Sequence, residues 1–142
     1  YLEQLEKYNN NDTIGIVFLD INNLKKINDT LGHEYGDELI ITSANIIYNS
    51  FGLFGKVFRI GGDEFCVLID NNNVKNKYEL GLETFKKLIN EMNGTNQHPY
   101  MIQIAHGFSV CESATQKKLS EAIAKADSKM YKNKKEQKSN YA

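Results

Sequence analysis

Apolar positions fall in blocks whose spacing changes along the chain. Residues 1–8 (YLEQLEKY) read as the end of a helix, and Asn9 to Asp12 as a polar turn. Ile14 to Ile21 (IGIVFLDI) is a short, β-branched and almost continuously apolar run, which predicts a central strand covered on both faces. Asn22 to Gly32 is polar, with helical spacing at Leu24, Ile27 and Leu31. From about Glu34 to Phe51 a longer helix carries an apolar stripe of Leu39, Ile40, Ala44, Ile47 and Phe51, and Gly52 and Gly55 break it. Val57 to Ile60 and Phe65 to Ile69 read as two strands joined by a hairpin turn at Gly61, Gly62, Asp63 and Glu64. After a polar break at Asp70 to Asn73, a helix is predicted over Tyr78 to Met92 and a loop over Asn93 to Pro99. A strand follows over Tyr100 to Val110, then a last helix from Leu119 to about Lys135 with Ala122, Ile123, Ala126 and Met130 on its apolar face.

The resulting order, β-α-β-β-α-β-α, is that of a split βαβ, ferredoxin-like or palm-type α+β domain with an added helix. In that topology the strands lie 4-1-3-2 with antiparallel neighbours, so the first and second strands run the same way. The end of the first strand and the hairpin turn therefore meet at one edge of the sheet. Asp20 sits at the first place, Asp63 and Glu64 at the second.

Composition narrows the class without naming it. The chain has 142 residues, enough for one domain with a real core. Seventeen basic residues balance eighteen acidic ones, which argues against a generic binder of nucleic acid polymers. Two Cys are too few for a disulfide framework, so a reducing, cytoplasmic setting is expected and both read as buried free thiols. No window is long and apolar enough for a membrane helix, and no leader peptide is visible. One asymmetry stands out: residues 125–138 hold six Lys against two acids. That stretch is either a solvated last helix or a cationic arm for phosphate.

Three carboxylates at one sheet edge are costly unless a cation neutralises them. An oxygen-only donor set favours Mg²⁺ over zinc. Two such ions about 3.5–4 Å apart would suit phosphoryl or nucleotidyl transfer. Gly-Gly-Asp-Glu is equally a good tight turn, and Asp20 taken alone reads first as a plain strand-end residue. Just after Asp20 the chain turns from strand into helix, where free backbone N–H groups bind phosphate. Lys25 lies one turn in and adds charge. Asn28 offers donor and acceptor atoms, and Asp37 offers acceptors for a paired donor set such as a guanine edge. Capping roles for Asn28, Asp29 and Asp37 are the plain alternatives.

At these residues the sequence resembles the GGDEF domain family, the diguanylate cyclases. Gly61-Gly62-Asp63-Glu64-Phe65 spells the name motif, preceded by Arg59-Ile60. Asp20 to Asp37 (DINNLKKINDTLGHEYGD) is similar to the family's D-x-D/N-x-[FL]-K-x-x-N-D-x-x-G-H-x-x-G-D pattern, and Ala126-Asp127 to Tyr131 with Lys134 is similar to its A-D-x-x-x-Y-x-x-K. The resemblance implies condensation of two GTP into cyclic di-GMP with release of two pyrophosphates, one GTP per subunit of a homodimer. It implies that Asp20, the Ile21 carbonyl, Asp63 and Glu64 hold two Mg²⁺ or Mn²⁺ ions, with Asp63 activating the ribose 3′-hydroxyl. It implies that Asn28 and Asp37 read guanine. Phosphates fall to Lys25, Lys134 and the backbone near Asn23 and Leu24. His33 lies inside the motif near the expected phosphate, with packing as an equal alternative.

The departures carry expectations of their own. The family's Gly-Arg-Asn after the last helix is here Gln137-Lys138-Ser139, so Lys138 keeps the charge without a bidentate fork. The R-x-x-D of the family's inhibitory site is here Gly52-Leu53-Phe54-Gly55, so no product inhibition through that site is expected. The family's opening helix is represented only by Tyr1 to Tyr8. The single GGDEF domain of residues 1–142 is therefore expected to be a fragment of a longer sensor protein, with membrane anchorage of that parent left open. On its own it is expected to be monomeric and weakly active. A catalytically silent GTP-binding regulatory module is the alternative; the turn acids, which such modules tend to lose, are all present. A palm-like polymerase or adenylate cyclase is disfavoured by the GGDEF turn together with Asp37.

Overall fold

A computed structural model describes residues 2–8, 11–70 and 72–139, with the Ser139 side chain left out. Tyr1, Asn9, Asn10 and Asn71, from the expected helix tail and two polar breaks, lie outside the described residues, so those parts of the sequence reading stop there. In chain order the elements are α1 (Leu2–Glu6), β1 (Ile14–Ile21), α2 (Leu24–Leu31), α3 (His33–Phe51), β2 (Gly55–Arg59), β3 (Glu64–Ile69), α4 (Val74–Gly94), β4 (Ile104–Cys111) and α5 (Gln116–Ser139). The four strands form one antiparallel sheet in the order β2-β3-β1-β4, which is the order expected from the sequence.

β1 is buried along its whole length because both faces of the sheet are covered. Val17, Leu19 and Ile21 join Leu39, Ile47, Phe51 and Phe85 in a core beneath α3 and α4. Ile14, Ile16 and Phe18 point the other way, toward Ala122, Ala126 and Met130 of α5. The period of two in a strand sorts one continuous apolar run onto two cores. Both Cys are free and buried, as expected; burial pushes the Cys66 thiol up to about 12.

Several boundaries differ from the sequence reading for physical reasons. β4 begins at Ile104 instead of Tyr100, since Tyr100 turns aside to donate a hydrogen bond to Glu38 Oε1 at 2.8 Å. α4 begins at Val74, directly after two left-handed residues, Asn72 and Asn73. Gly55 is a strand residue, not part of the break: a Cβ there would stand 2.3 Å from the Leu68 carbonyl oxygen on β3. α5 runs on to Ser139 because nothing in Gln137-Lys138-Ser139 stops a helix.

α5 also protects the exposed side of β4, an edge strand. Lys129 Nζ donates to the Phe108 carbonyl (3.1 Å), Asn133 Oδ1 accepts from the His106 N–H (2.9 Å), and Gln137 Nε2 donates to the Ile104 carbonyl (3.1 Å). Four helical residues rise about 6 Å and two strand residues about 6.7 Å, so every fourth helix residue meets every second strand residue. The ladder occupies backbone groups that would otherwise template edge-to-edge pairing.

His106 belongs to this edge. Its ring packs edge-on against Phe85, with centroids 5.8 Å apart. Burial, helped by the Lys86 charge, lowers its pKa from 6.5 to about 4. The unfolded chain therefore binds a proton near pH 6.5 that the folded chain accepts only near pH 4. Stability is expected to fall by on the order of 3 kcal/mol across that window from this group. In urea unfolding at pH 7 and pH 4.5, His106→Gln should lose markedly less stability than the parent; equal losses would remove His106 as the cause.

Candidate active site

The site forms where β1 ends and the β2–β3 hairpin turns. Asp20 and Glu64 are directly opposed partners in the β1–β3 register, so their side chains leave the same face of the sheet. The Ile21 N–H donates to the Asp63 carbonyl at 2.8 Å and clips the hairpin tip to the end of β1. Arg59, the chain's only Arg, closes the tip from the other side: Nε donates to the Gly61 carbonyl (3.1 Å) and Nη2 to the Gly62 carbonyl (2.9 Å). Asp20, Asp63 and Glu64 can each bring a carboxylate oxygen within 4.8 Å of the others.

Electrostatics make this cluster demanding. Asp20 is buried (5 % exposed), and one of its oxygens, Oδ1, has no hydrogen-bond partner among the described residues. The other, Oδ2, accepts from Lys134 Nζ of α5 at 3.2 Å. Burial first, then the Asp63 charge, push the Asp20 carboxyl above its ordinary range, and Lys134 only partly offsets them. A buried orphan carboxylate oxygen beside two further acids is what a hard divalent cation would satisfy. The donor set is all oxygen, which suits Mg²⁺ or Mn²⁺ better than zinc.

Beside the acids lies a cleft of about 510 Å³, lined in part by Ile21, Leu24, Lys25, Asp63, Lys134 and Lys138. Asn23, also in its lining, is in the left-handed conformation (φ 65°) and turns the chain from β1 into α2. Among the described residues no side chain caps α2, so its first N–H groups remain available to an anion. The structure thus gathers Ile21, Asn23, Leu24, Lys25, Asp63, Lys134 and Lys138 around one cleft, with Asp20 and Glu64 joined to its acidic end through Asp63.

Asn28 and Asp37 lie farther along, on α2 and α3, and do not line that cleft. Asn28 has a buried Oδ1, unpartnered among the described residues, that rests against Gly36, where a Cβ would stand only 1.6 Å away. Asp37 and His33 are exposed. Gly36 was not singled out in the sequence; its place next to Asp37 was the available signal. Nor were Asn22, Gln103 and the tip-closing role of Arg59, for which the sequence offers no periodic cue.

Fold and site together define an α+β, palm-type domain with an acidic, oxygen-only edge above a lysine-lined cleft. Over residues 1–140 the sequence matches the family described as "Diguanylate cyclase, GGDEF domain". The chain belongs to the GGDEF domain family. It is 31% identical over 129 residues to diguanylate cyclase DgcN of Escherichia coli strain K12, covering 87% of this chain and 31% of that one. Over 63 residues it is 40% identical to the E. coli cyclic di-GMP phosphodiesterase PdeR, covering 44% of this chain and 10% of that one. The chain thus spans a third or less of these relatives. Among solved structures, the GGDEF domain of DgcB from Caulobacter crescentus, in complex with c-di-GMP, superposes with a TM-score of 0.67 at 25% identity, covering 87% of this chain and 73% of that one. Diguanylate cyclase SiaD of Pseudomonas aeruginosa, in complex with its activator SiaC, shares the fold with a TM-score of 0.77 at 19% identity over 95% of this chain and 53% of that one. Among the described residues no helix is long and apolar enough to cross a membrane.

Proposed function

We propose that this chain is a diguanylate cyclase domain that condenses two GTP into cyclic di-GMP and two pyrophosphates. The observation that carries the proposal is the convergence of Asp20, Asp63 and Glu64 to within 4.8 Å beside a cleft flanked by Lys25, Lys134 and Lys138. Asp20, the Ile21 carbonyl, Asp63 and Glu64 would hold two Mg²⁺ or Mn²⁺ ions, which when bound neutralise charge on the reacting phosphate oxygens. The lysines and the first N–H groups of α2 bind the triphosphate. Asn28 and Asp37 read the guanine edge, with Asp37 accepting from its paired N–H donors. Asp63 takes the proton of the ribose 3′-hydroxyl as that oxygen attacks the α-phosphorus of the second GTP and pyrophosphate leaves.

Each chain holds one GTP, so turnover needs two chains face to face. An N-terminal sensor domain of a longer, cytoplasmic-facing protein would bring them together. The test is product formation: the domain fused to a dimerising coiled coil, with GTP and Mg²⁺, assayed for cyclic di-GMP by chromatography with mass detection. Product that depends on Mg²⁺ is the expected outcome. GTP binding without product in the forced dimer would replace the cyclase with a silent GTP-binding regulatory module.

A further inference from the structure

The last rung of the α5 ladder does more than cover an edge. Asn22 follows two of the proposed metal-holding residues, Asp20 and Ile21, and is buried (2 % exposed). Its Nδ2 donates both hydrogens, one to Gln103 Oε1 at 3.1 Å and one to Gln137 Oε1 at 2.6 Å. Its backbone N–H donates to the Gln103 carbonyl at 2.9 Å. The orientation of the amides is dictated from outside. The Ile104 carbonyl can only accept, so Gln137 must turn Nε2 toward it and Oε1 toward Asn22. Three segments distant in sequence, the β1–α2 turn, the entry to β4 and the end of α5, are thereby locked at one point.

Lys134, Gln137 and Lys138 share one face of α5, since residues three and four apart are neighbours on a helix. Whatever fixes the rotation of the helix at Gln137 fixes both lysines. Lys134 reaches Asp20 Oδ2 at 3.2 Å, and both lysines line the cleft beside Asp63. Without an anchor the last turn of a helix frays.

We propose that Gln137 is a positioning residue: its amide, shared between Asn22 and the Ile104 carbonyl, holds the end of α5 so that Lys134 and Lys138 form a clamp for a polyphosphate. The clamp rests on the reading of the cleft as a phosphate site, but not on guanine recognition or turnover. Inorganic triphosphate with Mg²⁺ therefore tests it separately from the cyclase. In Gln137→Leu, amide exchange over residues 132–138 should quicken at least tenfold while the melting temperature falls by several degrees and unfolding stays a single transition, since Asn22 Nδ2 and the Ile104 carbonyl each lose one partner. Triphosphate should bind about tenfold more weakly, the size expected for one lost hydrogen bond of ordinary worth. Adding Lys134→Gln to Gln137→Leu should cost much less than Lys134→Gln alone, because the two act as one unit. Gln137→Ala serves as a second variant should Leu disturb the fold. Unchanged exchange, unchanged triphosphate affinity in a variant that has lost protection, or a parent that does not bind triphosphate would each overturn the proposal. Triphosphate binding that behaves as expected in a protein making no cyclic di-GMP would support the clamp while the cyclase reading failed.

Discussion

Asp63→Asn is expected to lower cyclic di-GMP formation by on the order of 10²–10⁴-fold, the range for losing a positioned general base, with the melting temperature unchanged or higher. The asymmetry follows from how Asp63 is held. Its contribution to the fold is made by its backbone carbonyl, which receives the Ile21 N–H at 2.8 Å and which Asn retains. The tip of the hairpin is fastened independently by Arg59 through the Gly61 and Gly62 carbonyls. The side chain belongs to the acidic triplet, where its charge helps push the Asp20 carboxyl up. Neutralising it relieves repulsion at a buried site while removing the charge of a proposed metal donor and the group proposed to act on the 3′-hydroxyl. Turnover and thermal melting of the same forced-dimer preparation separate the two effects. A variant that keeps more than about a tenth of parental turnover would take the 3′-hydroxyl role away from Asp63.

Gly107→Ala is expected to destabilise the domain by about 3 kcal/mol or more, seen as a fall of roughly 10 °C in melting temperature. β4 presents Ala105, Gly107, Ser109 and Cys111 toward α5, and α5 answers with Ala122 and Ala126, so helix and strand approach closely. A Cβ at Gly107 would stand 2.2 Å from the Ala126 carbonyl oxygen and 2.2 Å from the Met130 nitrogen. Both are backbone atoms, which no rotamer change can move, so the helix itself must lift. Lifting it strains the ladder from Lys129 to Gln137 and withdraws Lys134 from Asp20. Gly94→Ala is the control: nothing lies within 4 Å of its Cβ position, and stability should stay within about 0.5 kcal/mol of the parent. A Gly107→Ala variant as stable as that control would show that α5 does not depend on this close approach.

The elements were legible in the sequence because their signals are local. The run from Ile14 to Ile21 announced a two-sided strand, and the stripe ending at Phe51 and the small face of Ala122 and Ala126 announced helices that bury one side. Even the meeting of Asp20 with Glu64 followed from strand order alone, since a split βαβ sheet brings those two ends together whatever the side chains are. Where elements began and ended was less legible. Tyr100 is a good strand former drawn off by Glu38, and Gly55 reads as a breaker until β3 lies against it.

The polar interior was decided by the tertiary structure. Asn22, Gln103 and Gln137 are separated by 81 and 115 residues along their hydrogen bonds, and each amide taken alone is a plausible surface side chain. Arg59 looked like one charge in a motif until the tip curled back onto its guanidinium. Hydrophobic periodicity records which face of an element leaves water, and the sequence by itself determined the fold and its acidic edge through it. Directional polar contacts depend on distance and angle between distant backbones, so the lock between Asn22 and Gln137 and the clip on the hairpin became definite only once the chain had packed.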